Sequence, residues 1–302
     1  MTPETSGRWS ARRWTGEATG LASGVRRRLE GRDLALIAAG LTFYAGIAVV
    51  PLLVDTLWLT ARLTSPATVR HLGDRLADLL PGQLGAPGAV QQLVAAGVGL
   101  TPLQALLALL PMSLYGEGLR RALMRFSRPR HESLTSWRGR LLALPLLAVT
   151  PLLLYPLLLA AGVMADLADA GGAGHTVARI ALGYYSVLLV LTVPLLWGWR
   201  VVAGARIGWP ALVVGALFTA ACLSGFLQGF VIFLSLPLRL GAPFGGFTGV
   251  GAVVAVGLWL FLLHLVLLVC WLLTQSLDER LAAGLRPPEP PAGRRGAAPP
   301  EC

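Results

Sequence analysis

Six stretches of this chain stay apolar for long enough to cross a bilayer, and that restricts the fold more than any other feature. About 30 Å of hydrocarbon takes roughly 20 residues of helix. Runs of that length lie near 34–58, 93–115, 141–165, 180–200, 209–236 and 250–274. They are too long and continuous for barrel strands, which alternate apolar and polar residues over ~10 positions. Of the 302 residues 55% are hydrophobic and 13% charged, against about one quarter charged in soluble domains. The expected fold class is all-α, a polytopic membrane bundle of six transmembrane helices with an additional amphipathic helix on its outer face.

Arginine gives the expected orientation. The chain has 25 basic residues, all arginine, and a net charge of +10. Twenty of them fall in the segment before the first span, in 116–140, at Arg200 and Arg206, and in the C-terminal segment. The remaining loops carry Arg62, Arg70, Arg75, Arg179 and Arg239. Under the positive-inside rule both termini are cytoplasmic, in a multi-pass protein of the cell membrane. This distribution absorbs most of the net charge, so nucleic acid is not required as a partner. Membrane lipids are the expected partners, with anionic headgroups attracted to "GVRRRLEGRD" at roughly 1 kcal/mol per arginine near the surface. The domains read as an arginine-rich cytoplasmic segment (1–33), the six-helix domain (34–280) and a Pro/Gly/Ala-rich disordered cytoplasmic tail (281–302). No cleavable signal is expected, because the first apolar run starts near residue 34 and is too long for an h-region.

Two segments need closer reading. In "GLTPLQALLALL", Thr101 is a good N-cap and Pro102 a good first helical residue. The second helix therefore starts at 101 and runs through "YGEGLRRALMRF", or it is one kinked helix from 90 onward. In the outer loop 62–92, Val69, Leu72, Leu76, Leu79 and Leu80 recur at helical spacing, with Arg70, Asp74, Arg75 and Asp78 on the other face. That pattern predicts an amphipathic helix lying on the interface or capping the bundle.

Polar side chains within the spans are the candidate site residues. Thr42 and Tyr44 lie in "IAAGLTFYAGIAVVPLLV", where Ala39, Thr42, Gly46 and Val49 form a small-residue stripe expected to face protein. Gln228 follows Ser224 in the fifth span and His264 lies in the sixth; both need partners at membrane depth. Tyr155 sits between Pro151 and Pro156, where the third span is expected to bend. The pairs Gly225-x-x-x-Gly229 and Gly245-x-x-x-Gly249 are weak signals for tight helix contact. For Thr42, Tyr44 and His264 helix packing is a plainer account than a ligand role.

At the inner mouth, Glu117 and Arg121 have the spacing of an i,i+4 ion pair. Arg120, Arg138 and Arg140 complete a candidate anion or headgroup site, for which positive-inside charge is the plainer account. The cysteines Cys222, Cys270 and Cys302 have no metal-ligand spacing, and His71, His131, His175 and His264 are scattered across sides of the membrane. No metal or cofactor is expected, and the oligomeric state is left undecided.

Several of these stretches resemble the YihY/BrkB-type integral membrane family, once labelled ribonuclease BN-like. "LIAAGLTFYAGIAVVPLL" is similar to its first span, "GWPALVVGALFTAACLSGFLQGFV" to its fifth, and "GGFTGVGAVVAVGLWLFLL" to its Gly-rich approach to the sixth. "SLYGEGLRRALMRF" and "SWRGRL" extend the resemblance, which covers about residues 30–280. It implies six helices with cytoplasmic ends. Family labels mention a ribonuclease, resistance factors and lipid-related export. Where many members carry a Gly-Ala-Glu step late in the last span, this chain reads "VCWLLTQSLDE".

Three functions follow as expectations. A transporter or flippase-like protein for a lipid or amphipathic anion fits the kinked helices, the intramembrane polar residues and the arginines. A non-transporting scaffold for envelope integrity is the alternative. A membrane-bound ribonuclease would need metal-binding carboxylates or a paired base in a hydrated site, and the sequence offers no acidic cluster; no enzyme activity is expected.

Overall fold

The structure, a computed structural model, describes residues 19–20, 22–82, 85–126, 138–170, 172–204 and 206–284. The regular elements among them are helical. A short α1 (22–29) precedes α2 (Leu34–Leu63), α3 (Pro66–Asp78), α4 (Ala86–Val98) and α5 (Pro102–Phe126). There follow α6 (Arg138–Ala170), α7 (Ala173–Trp197), α8 (Trp209–Leu234) and α9 (Thr248–Gly284). The six long helices α2, α5, α6, α7, α8 and α9 pack neighbour to neighbour in chain order, and α9 closes the ring on α2. α2 and α5 run antiparallel: Tyr44 meets Gly118, and Arg28 of α1, just before α2 begins, reaches the Phe126 carbonyl at the end of α5.

By length and composition, five helices among the described residues can cross a membrane: Leu34–Leu63, Leu153–Ala170, Ala173–Val202, Trp209–Leu234 and Thr248–Ala283. The helix between the first two, α5, falls outside that set because Gln104, Ser113, Glu117 and three arginines dilute its apolar content. The expected 93–115 span does not exist as one piece. The chain breaks between Val98 and Pro102, so 93–98 belong to α4 and the rest to α5. A reciprocal cap causes the break. The Gln104 N–H donates to Thr101 Oγ1 at 3.3 Å, and the Thr101 N–H donates back to Gln104 Oε1 at 3.0 Å. Other helix starts are fixed in the same way. Asp33 accepts from the Leu36 N–H at 3.0 Å, and Ser65 accepts from the Thr68 N–H at 3.0 Å, just ahead of Pro66.

The amphipathic helix expected in 62–92 is α3. It buries Val69, Leu72, Gly73 and Ala77 and leaves Arg70, Asp74 and Asp78 exposed. It caps the bundle, packing on α4 and α6. Val69 joins Leu57, Ala61 and Val94 in a small core, and Arg75 pairs with Asp166 and Asp169 of α6. At the opposite end of the ring a larger core surrounds Trp199, Trp271, Phe126 and Leu123, with Val25 and Leu29 of α1 packed on it.

Three expectations are corrected here. The buried stripe of α2 is Ala38, Leu41, Ala45 and Ala48; Ala39 and Gly46 face outward. Alanine's single methyl is small enough for this packing, and Gly40 and Gly46 have no neighbour within 4 Å. The glycine pairs at 225/229 and 245/249 are likewise not the tightest helix contacts. Closer approaches are made by Gly118 against Tyr44 and Gly215 against Thr274. The last helix runs to Gly284, four residues past the expected boundary at 280; before that boundary Arg28 of α1 donates to its Gln275 at 2.6 Å and Glu279 at 2.7 Å. Residues 1–18, 127–137 and 285–302, including His131, Cys302 and most of the tail, lie outside the described residues.

Candidate functional site

Three helices bring one polar side chain each to a common point inside the ring. His264 on α9 is 1% exposed. Its Nδ1 lies 2.6 Å from the Leu260 carbonyl one turn earlier and 3.3 Å from Thr42 Oγ1 on α2. Its Nε2 lies 3.2 Å from the Tyr115 hydroxyl on α5. The partners assign the tautomer. A carbonyl only accepts, so Nδ1 carries the proton, and Nε2 accepts from the Tyr115 O–H. The Thr42 hydroxyl donates to the Ala38 carbonyl at 2.9 Å and has a lone pair left for Nδ1–H. Every polar atom of the group is thereby satisfied within the protein.

Tyr44, two residues and so about half a turn of α2 from Thr42, does not join this group. Its ring lies on Gly118, where an added Cβ would come within 2.5 Å. The position needs glycine for the close approach of ring to backbone. Gln228 is elsewhere, its amide 3.2 Å from where a Cβ on Gly183 of α7 would stand. Tyr155 is half-buried on α6. The five intramembrane candidates are therefore not one site: Thr42 and His264 meet, and Tyr44, Gln228 and Tyr155 stand apart.

A second cluster sits on the last turns of α5. Glu117 is 5% exposed and Arg120 is 6% exposed. Arg121 donates from Nε to Glu117 Oε1 at 2.7 Å, the pairing its spacing predicts. The other oxygen, Glu117 Oε2, is buried and has no hydrogen-bond partner. Two more orphaned atoms lie one turn apart toward the far end of α2, Asp55 Oδ1 and the Trp58 Nε1 donor. Arg138 and Arg140 lie on the first turn of α6, and their side chains are outside the described residues.

Sequence reasoning missed Tyr115 and Arg28. Tyr115 lies in "SLYGEGL", and its only signal is a phenol at membrane depth, shared with Tyr44. Arg28 is one of seven arginines in its segment, and nothing in the sequence separates it from its neighbours. It donates to the Phe126 carbonyl at 3.3 Å as well as to Gln275 and Glu279, tying α1 to α5 and α9.

Comparison with curated proteins and with solved structures finds no match. The family model described as Virulence factor BrkB matches residues 25–294, a range that spans the whole helical ring. The chain, with its several apolar helices, belongs to the BrkB family of membrane proteins.

Proposed function

We propose that this protein spans the cell membrane six times, with both termini in the cytoplasm, and moves a lipid or amphipathic anion across the bilayer in the manner of a flippase. On this reading α5 is the sixth span. Its 25 residues reach about 37 Å, and its outward face presents Leu103, Leu106, Leu107 and Leu110, each more than half exposed. The orientation rests on arginine. Arg26, Arg27, Arg28 and Arg32 before α2, Arg120, Arg121 and Arg125 on α5, Arg200 and Arg206 between α7 and α8, and Arg280 on α9 all belong to one end of the ring.

The observation that carries the transport reading is Glu117. A buried carboxylate oxygen without a donor is costly, the more so at membrane depth. It marks a place where a hydroxyl, ammonium or water donor completes the site. Arg120 and Arg121 on the adjoining positions suit the phosphate or carboxylate of the same molecule. The protein would then be no enzyme, and no residue is assigned a catalytic role.

The test is reconstitution of the full chain into vesicles carrying a fluorescent anionic phospholipid analogue. The expected result is flipping faster than in protein-free vesicles. Glu117→Gln should slow it by about tenfold, the weight of about 1.4 kcal/mol in lost charge-assisted hydrogen bonding. Equal rates with and without protein sink the transport reading. They would favour the second reading, a non-transporting scaffold, which draws support from the internally satisfied Thr42–His264–Tyr115 group: it fastens three helices and asks nothing of a ligand.

A further inference from the structure

The loop joining α8 to α9 carries an arginine that the proposed function does not use. Between Arg206 and Asp278, Arg239 is the only charged residue in the sequence. It is exposed, at the end of the ring opposite α1. No described residue forms an ion pair with it. A guanidinium at a hydrocarbon boundary, with no countercharge among the described residues, draws one from its surroundings.

The loop holds this arginine in place through its backbone. The Ala242 N–H donates to the Arg239 carbonyl at 3.0 Å, and the Gly246 N–H donates to the Gly241 carbonyl at 2.9 Å. Gly246 has φ +90°, in the left-handed region that favours glycine. The Leu240 carbonyl lies directly against Gly251 on the first turns of α9, where any side chain would collide.

Two adjoining cavities share Leu238, Arg239 and Leu240 as walls. The larger, of about 650 Å³, opens beside Gly241, Gly246 and Thr248, at the first turn of α9. The free N–H groups and positive dipole of a long helix lie there. The smaller, of about 330 Å³, runs between α8 and α9, walled by Phe233, Val254, Leu258 and Trp259. Phe233 and Trp259 are in ring contact at 5.7 Å. Trp259 lies eight residues beyond Gly251, about 12 Å further along the helix.

We infer that this groove holds one anionic glycerophospholipid of the leaflet opposite the termini, its phosphate at Arg239 and the upper part of an acyl chain against Trp259. The lone arginine selects for a phosphate bearing net negative charge. The apolar lower cavity selects for a chain attached to it. A free phosphate leaves the lower cavity empty, and a neutral lipid leaves the arginine without a countercharge. The inference rests on the chain's being embedded in lipid, and it is independent of whether the protein transports one.

Native mass spectrometry of the full chain in mild detergent tests it, titrating phosphatidylglycerol against phosphatidylcholine of matched chains. Wild type is expected to retain one phosphatidylglycerol in preference to phosphatidylcholine. Arg239→Gln should weaken phosphatidylglycerol roughly fivefold, the weight of one arginine at a lipid surface, and leave phosphatidylcholine unchanged. Val254→Trp, which fills the lower cavity, should weaken both lipids at an unchanged melting temperature. Inorganic phosphate should displace neither. Equal retention of the two lipids by wild type, full retention by Arg239→Gln, or displacement by inorganic phosphate overturns the inference. Flipping by a wild type that retains no phosphatidylglycerol overturns it too and leaves the transport reading standing. Retention without flipping does the reverse.

Discussion

His264 and Glu117 are both ionisable, both nearly sealed from the surface, and both inside the ring, yet their surroundings differ in kind. The imidazole has a partner for each nitrogen, drawn from three helices. The carboxylate has a partner for one oxygen only, from its own helix. A buried polar group with every bond made is a fastener, because breaking it leaves orphaned atoms. One with a bond unmade carries a desolvation cost that an added donor would relieve. The difference places the structural load of the ring at His264 and the proposed chemistry at Glu117.

The comparison can be broken in several ways. The largest effect is expected at Gly118, which carries the Tyr44 ring beside Glu117. Gly118→Val forces α2 and α5 apart and should cost about 3 kcal/mol as overpacking, read as a lowered unfolding midpoint in a denaturant titration in detergent. If it is tolerated, α2 and α5 are less closely seated than the ring requires. His264→Leu should cost about 1–2 kcal/mol, since the Tyr115 hydroxyl and Thr42 lose their partner in a medium that offers no substitute. Its effect should shrink when combined with Tyr115→Phe. Strictly additive effects of the two substitutions would mean the imidazole and phenol do not act as a pair.

Glu117→Gln should change stability by less than about 0.5 kcal/mol. The amide keeps the shape, and the lost partner Arg121 is half exposed, where ion pairs contribute little. A large loss of stability with flipping intact would exchange the roles of the two residues. The smallest effect is expected at Arg75→Ala. Its partners Asp166 and Asp169 are 71% and 78% exposed, so the change should stay within about 0.5 kcal/mol and fade further in high salt. A larger loss would show that α3 is held to α6 by charge more than by the burial of Val69 and Leu72.

How much of this was legible in the sequence follows from what each signal measures. The Thr101–Pro102 start, the Glu117–Arg121 pair and the apolar face of α3 depend on residues within one or two turns of each other, and spacing alone reveals them. The rotation of α2 was not legible. In lipid both faces of a helix are apolar, so periodicity does not separate the side that meets protein from the side that meets acyl chains. The stripe read as Ala39–Thr42–Gly46–Val49 lies one residue round from the buried Ala38–Leu41–Ala45–Ala48. Tyr115 escaped notice for a related reason: it is one of five tyrosines, and only its distance to His264 distinguishes it.

What the sequence determined alone is the solvent and the element type. Long apolar runs in a chain so poor in charge can only be helices in lipid, because each satisfies its backbone hydrogen bonds internally. What only the tertiary structure decided is which side chains meet. Thr42, Tyr115 and His264 come from helices far apart in the chain, and Glu117 Oε2 is orphaned by what its neighbours fail to supply. Contacts between rods depend on how each is rotated and how closely it sits, and small differences in packing set both.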